Sequence, residues 1–212
     1  MRLARTLVVC ACAAALPAAW GQKWEVGGAV GGGFYTSQDI SSPDGTASAK
    51  IGTNLAGSFW LGNYSRGRWG GEIRYDYQMG DLQLNQNSTH ASFAARSQDI
   101  HYDLLWHAAS SESVIQPFVA FGAGIKVYQG TGAQVVYQPL SNIALLTQAQ
   151  DLVAMASAGA GVKVKISPHV SLRLDIHDYI TPFPKQVITP VTGKSPGWLQ
   201  DFVPMAGLAF TF

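Results

Sequence analysis

From Trp69 to Met79 the chain alternates without a break. Trp69, Gly71, Ile73, Tyr75 and Tyr77 fall on one face of an extended strand, and Glu72, Arg74, Asp76 and Gln78 fall on the other. The charged face must find partners if it is enclosed, because an unpaired buried charge is costly. The final segment, Trp198 to Phe212, repeats the pattern: Phe212, Phe210, Leu208, Ala206, Pro204 and Phe202 lie opposite Thr211, Ala209, Gly207, Met205, Val203 and Asp201. Its apolar face needs either an earlier segment or lipid to cover it.

The amino end sets the compartment. Arg2 and Arg5 precede an apolar block from Leu7 to Leu16, and Ala19-Trp20-Gly21 supplies small residues at the −3 and −1 positions, the pattern of a secretory signal over residues 1–21. The mature domain is expected over 22–212. No run approaches the roughly 20 apolar residues of a membrane-spanning helix. Cys10 and Cys12 both lie inside the signal, so the mature chain has no thiol chemistry or disulfide framework. Removing Arg2 and Arg5 leaves 12 basic residues against 13 acidic ones, a balance that gives no reason to expect nucleic-acid binding. Charged residues make up 13% of the chain, against about 25% in soluble proteins, while the apolar residues alternate with polar ones instead of forming blocks. Few charges, an export signal and no apolar helix point to a membrane barrel.

Eight alternating segments follow in order: 23–36, 50–62, 69–79, 91–107, 114–128, 152–166, a seventh after Ser167-Pro168 carrying Val170, Leu172, Leu174 and Ile176, and 198–212. Ser42-Pro43-Asp44-Gly45 marks a turn in the first connection. Met79 to His90 reads as a polar, Asn-rich loop. Within the long stretch 129–150, Ser141 to Gln150 is compatible with one or two helical turns or with extension of the strands. Pro204 cannot donate to a ladder and predicts a bulge or a missing bond in the last strand. The connections alternate, long after strands one, three, five and seven and short after two, four and six. An up-and-down antiparallel barrel of the outer membrane has this arrangement, with short turns and both termini on the periplasmic side. Trp24, Trp69, Trp106 and Phe212 then fall at the periplasmic rim, a level that suits amphipathic aromatic rings. Gly27, Gly31, Gly33, Gly122, Gly124, Gly159 and Gly161 mostly face inward, making room for large neighbours.

The strand Glu72-Ile73-Arg74-Tyr75, the run from Pro117-Phe118 to Gly122-Ala123-Gly124, the strand Leu172-Arg173-Leu174-Asp175 and the ending Ala209-Phe210-Thr211-Phe212 together resemble the small eight-stranded outer-membrane barrels of OmpA/OmpX and opacity-protein type. The fold class expected is therefore all-β, an eight-stranded antiparallel up-and-down transmembrane β-barrel in the outer membrane of a Gram-negative bacterium. The resemblance implies a packed, salt-bridged, porin-like interior with no wide channel. It also implies an assembly signal for the barrel-assembly machinery in the closing strand, carried by Phe202, Leu208, Phe210 and Phe212. No peptidoglycan-binding domain is expected after the barrel.

Strand phase directs Glu72, Arg74, Asp76, His101, Asp103, Arg173, Asp175 and His177 inward as a lumen charge network, with Arg74 and Arg173 as its hubs. The histidines at 90, 101, 107, 169 and 177 show no ligand spacing, so no metal and no cofactor is expected. No phosphate loop or nucleophile elbow is present, and no catalysis is expected. His169-Val170-Ser171 has the His-x-Ser spacing of barrels that deacylate lipid A, but it follows a periplasmic turn, whereas lipid A lies in the outer leaflet. The expected role is envelope integrity and surface interaction through four outer loops. A narrow ion or small-solute pore is the first alternative, and a lipid A-modifying hydrolase the second. Outer-membrane lipid and lipopolysaccharide are the expected partners, the surface ligands are unassigned, and a monomer is expected.

Overall fold

The computed structural model describes residues 23–64, 67–133, 137–192 and 197–212; the signal segment expected over 1–21 lies outside them. The described residues form twelve strands in chain order: β1 Lys23–Tyr35, β2 Gln38–Ser42, β3 Gly45–Ile51, β4 Asn54–Tyr64, β5 Trp69–Gln86, β6 Thr89–His107, β7 Ile115–Gly130, β8 Ala144–Leu146, β9 Gln150–Lys165, β10 Val170–Pro182, β11 Ile188–Pro190 and β12 Trp198–Thr211. Among the described residues no helix is long and apolar enough to cross a membrane.

Eight of the strands pair antiparallel into a closed ring, in the order β1, β4, β5, β6, β7, β9, β10, β12 and back to β1. The registers fix its geometry. From Trp24 the partners run to Asn63, Gly71, Leu104, Phe121, Ala158, Asp178 and Phe202, and then return to β1 at Phe34. One circuit advances ten residues, from 24 to 34, so the barrel has eight strands, a shear of ten and steeply tilted strands. The seam is closed at its base by paired bonds between Trp24 and Phe212.

Alternation decides which way each side chain points. Ile73, Tyr75, Ile100, Tyr102, Leu104, Phe121, Ile176, Phe202 and Phe210 are exposed on the outer wall, while the charged residues between them are buried. An apolar band of this extent suits lipid rather than water. Trp69 and Trp106 sit opposite each other on β5 and β6 at the end where the short turns lie, with Trp24 and Phe212 on the same rim.

Several boundaries differ from those read in the sequence. The second segment divides: β3 pairs with β2 as a hairpin and with the far end of β5, and the wall strand β4 begins only at Asn54. The 79–90 stretch is strand, not loop. There β5 and β6 stay paired to Gln86 and Thr89, and the chain turns at Asn87 with φ 51°. Asp81, Gln83 and Asn85 mark where the strand leaves the apolar band, while Leu82 and Leu84 remain buried on its inner face. Residues 141–150 form turns and β8, with no helix. No bulge occurs at Pro204, since β12 keeps one register with β10 throughout. Opposite it, the β1 ladder loses its pairs at Gly32 and Gly33 and resumes at Phe34 in the same register.

At the end opposite the short turns, the connections fold over the barrel mouth. Ile40, Leu140, Ile143, Leu146, Val187 and Ile188 are buried there with Leu82, Leu84, Phe93, Tyr128, Phe183 and Leu199 in one apolar cluster. Burying each large aliphatic side chain contributes roughly 1.5–3 kcal/mol. The β8–β11 ladder, Thr147 N–H to Val187 O at 3.0 Å, Val191 N–H to Ile143 O at 3.0 Å and Thr192 Oγ1 to Ser41 O at 3.2 Å bind the connections to one another.

Candidate functional site: the charged lumen

The interior is built in tiers from the inward positions of the ring. Nearest the short turns, Lys163 Nζ donates to Glu25 Oε1 at 2.8 Å and to Tyr64 Oη at 2.5 Å. The same Glu25 oxygen accepts from Trp60 Nε1 at 3.2 Å and Tyr64 Oη at 3.1 Å. This tier borders a cavity of about 70 Å³, lined by Glu25, Tyr64, His107, Lys163 and Ser171 among others and by none of the charges of the next tier.

In that next tier Arg173 clasps Glu72 with two bonds, Nη1 to Oε2 at 2.6 Å and Nη2 to Oε1 at 2.9 Å, and donates from Nε to Asp175 Oδ2 at 2.6 Å. Arg74 Nη2 reaches the same Asp175 oxygen at 2.9 Å. The Trp60 ring lies 4.6 Å from the Arg173 guanidinium and 5.2 Å from that of Arg74, so the two cations share one aromatic face region. Tyr179 donates to Asp76. His101 Nδ1 bonds Asp99 at 3.0 Å, and His177 lies beside it with ring centroids 6.3 Å apart. Above these, Lys126 Nζ donates to Asp201 Oδ2 at 2.6 Å, Gln78 Nε2 donates to the same atom at 2.8 Å, and Tyr35 Oη donates to Gln78 Oε1 at 3.1 Å.

All eight residues selected by alternation are buried in the lumen. Glu72, Arg74, Arg173 and Asp175 form one connected ion-pair group; His101, Asp103 and His177, with Asp76 nearby, cluster around the imidazoles, and His177 Nε2, 3.9 Å from Asp175 Oδ2, joins the two. Glu25, Asp99, Lys126, Lys163 and Asp201 belong to the interior as well and were not selected, although they occupy inward positions of the same alternation. Below the cap, seven buried carboxyl groups (Glu25, Glu72, Asp76, Asp99, Asp103, Asp175, Asp201) face four arginine and lysine side chains (Arg74, Lys126, Lys163, Arg173) and the imidazoles. The closing-strand residues Phe202, Leu208, Phe210 and Phe212 all face outward and are exposed.

His169 and Ser171 do not form a pair. His169 is at the surface with Nδ1 3.0 Å from Thr211 O, whereas Ser171 is turned into the barrel at the short-turn end.

The model of the outer membrane protein beta-barrel domain matches residues 6–187. The chain belongs to that family. It is a protein of the Gram-negative outer membrane, where barrels of this kind place short turns toward the periplasm and long connections outside. No curated protein matches the sequence. Among solved structures it is similar to Neisserial surface protein A, with 10% identity, 91% of this chain and 99% of that chain covered and a TM-score of 0.57. OprG from Pseudomonas aeruginosa has 12% identity, coverage of 91% and 96%, and a TM-score of 0.57. Ail of Yersinia pestis, in complex with the heparin analogue sucrose octasulfate, has 7% identity, coverage of 90% and 99%, and a TM-score of 0.50. At such identities the likeness is one of fold.

Proposed function

We propose that this outer-membrane barrel is a closed, non-catalytic, non-conducting mount that holds an ordered surface cap and supports the envelope. The observation that carries this reading is the double closure of its interior: a fully buried charge network at mid-height and an apolar roof over the outer mouth. Ions would have to break the Glu72–Arg173 clasp and then pass the cluster around Ile143, Leu146 and Ile188, in which all three side chains are at most 1% exposed. Surface interaction would run through the outward side of that cap, and lipid and lipopolysaccharide would be met by the apolar wall. The closing strand would be read by the barrel-assembly machinery, and the chain would act as a monomer.

Planar-bilayer recording tests the reading. Purified barrel should show no stepwise conductance above leak at low or high salt; discrete openings would favour the narrow-pore alternative. The hydrolase alternative has less to support it, because among the described residues no histidine bonds Ser171, which lies at the short-turn end. Ser171→Ala should leave the lipid A acyl pattern of the membrane unchanged, and loss of a deacylated species in that variant would reverse the assignment.

A further inference from the structure

Asp103 is fully buried, yet neither of its carboxylate oxygens accepts a hydrogen bond from any described residue. A buried carboxylate left in that state costs several kcal/mol unless a cation meets it. Its ion-pair contacts are ring nitrogens, His101 Nε2 at 3.4 Å and His177 Nδ1 at 3.5 Å, both from Asp103 Oδ2; the same His177 Nδ1 is 3.4 Å from Ser157 Oγ. On the far side of the His101 ring, Nδ1 is 3.0 Å from Asp99 Oδ1. In a neutral ring, a proton donated on that side leaves the Nε2 lone pair aimed at the Asp103 oxygen, so two acceptors face each other until a cation or a second ring proton comes between them.

We propose that His101 Nε2, His177 Nδ1 and Asp103 Oδ2 bind one divalent transition-metal ion of the zinc class inside the barrel. One ligand atom from each of the three residues lies within 4.8 Å of the other two, and all three residues are buried. Bonds of about 2.0–2.1 Å in a tetrahedron imply edges of about 3.3–3.4 Å, close to the two separations from Asp103. Two imidazoles and a carboxylate suit zinc, cobalt or nickel better than magnesium or calcium. Asp99 is a positioning residue: its bond to Nδ1 fixes the tautomer and ring orientation of His101, the usual carboxylate partner of a metal-bound histidine. Charge points the same way, because seven lumen carboxyl groups face four arginine and lysine side chains, and a divalent ion offsets two of the excess. The neighbouring group of Asp76, Asp99 and His101 is a weaker candidate, since Asp76 accepts from Tyr179 and Asp99 already holds His101.

The site is enclosed, so metal should enter as the barrel closes. The untagged protein is unfolded in urea and refolded in detergent with Co²⁺ or Zn²⁺, excess metal is removed with a weak chelator, and metal per folded barrel is counted by elemental analysis. About one ion per barrel is expected, with the intense visible bands of tetrahedral cobalt. Asp103→Asn and His177→Gln should each lower retention at least tenfold, whereas His90→Gln and His169→Gln, at exposed positions, should not change it. Folding of each variant is checked by heat-modified gel migration. Should the lumen variants fail to fold, the wild-type count and cobalt spectrum decide. Retention well below one ion in wild type, an octahedral spectrum only, or undiminished retention in folded Asp103→Asn and His177→Gln would each overturn the assignment.

Discussion

Arg173→Ala should lower the stability of the folded barrel by about 3–5 kcal/mol, the usual cost of leaving a buried ion-pair partner uncompensated. The side chain makes three short charge-assisted bonds, two to Glu72 and one to Asp175, all out of contact with solvent. Without it, Glu72 keeps the Arg74 Nε contact at 3.6 Å and a long bond from Tyr64 Oη at 3.5 Å, and the Trp60 ring loses the nearer of its two guanidinium neighbours. With a denaturant slope of about 1–3 kcal/mol per molar, the urea midpoint should fall by at least about 1 M. Arg173→Lys should recover only part of this, because an ammonium cannot reproduce the planar fork on Glu72. Removing both partners, as in Arg173→Met with Glu72→Leu, should be milder than the single change, since no orphaned carboxylate remains. A midpoint for Arg173→Ala within error of wild type would show that Arg173 is not a hub of the network.

The sequence already carried the direction of these residues but not their partners. Period-two alternation sends Glu72, Arg74, His101 and Arg173 inward, because a side chain's face in a strand depends only on local parity. Which charge meets which depends on the shear of the closed ring. Glu72 and Arg173 are 101 residues apart and Lys126 and Asp201 are 75 apart, and neither strand phase nor spacing records their relative height. Lys126, Lys163 and Asp201 share the inward parity, and only their pairings, Lys126 with Asp201 and Lys163 with Glu25, were hidden for that reason. His101 and His177 lack ligand spacing in the chain and meet only because β6 and β10 face each other across the lumen. Polarity also misled at 79–90: Asp81, Gln83 and Asn85 signal departure from the lipid band, and the strand continues through them on buried Leu82 and Leu84. The cap left no periodic trace, since its apolar residues fall in two short runs, Ile143 to Leu146 and Val187-Ile188, and its strands β8 and β11 are only three residues long.

Gly122→Val should abolish the folded barrel, lowering the yield of heat-modified protein at least tenfold. Glycines on the inner wall are paired in register with large lumen side chains: Gly27 with Trp60, Gly122 with Asp103, Gly124 with His101, Gly159 with His177 and Gly161 with Asp175. The wall gives up a side chain wherever its neighbour needs the space. A Cβ at Gly122 would lie 2.0 Å from Asp103 Oδ1 and 2.2 Å from the Tyr102 carbonyl oxygen. The carboxylate could swing aside at the expense of its place beside the histidines, but the carbonyl belongs to the β6 backbone and cannot move without loosening the ladder. Overpacking against adaptable side chains costs about 1–3 kcal/mol, and contact with a fixed backbone exceeds that range. Gly57→Val supplies the contrast, since a Cβ there meets nothing within 4 Å. Its yield should match wild type when scored on the same gel. Equal yields for the two variants would mean that the inner glycines are not space-making positions and that strand composition alone selected them.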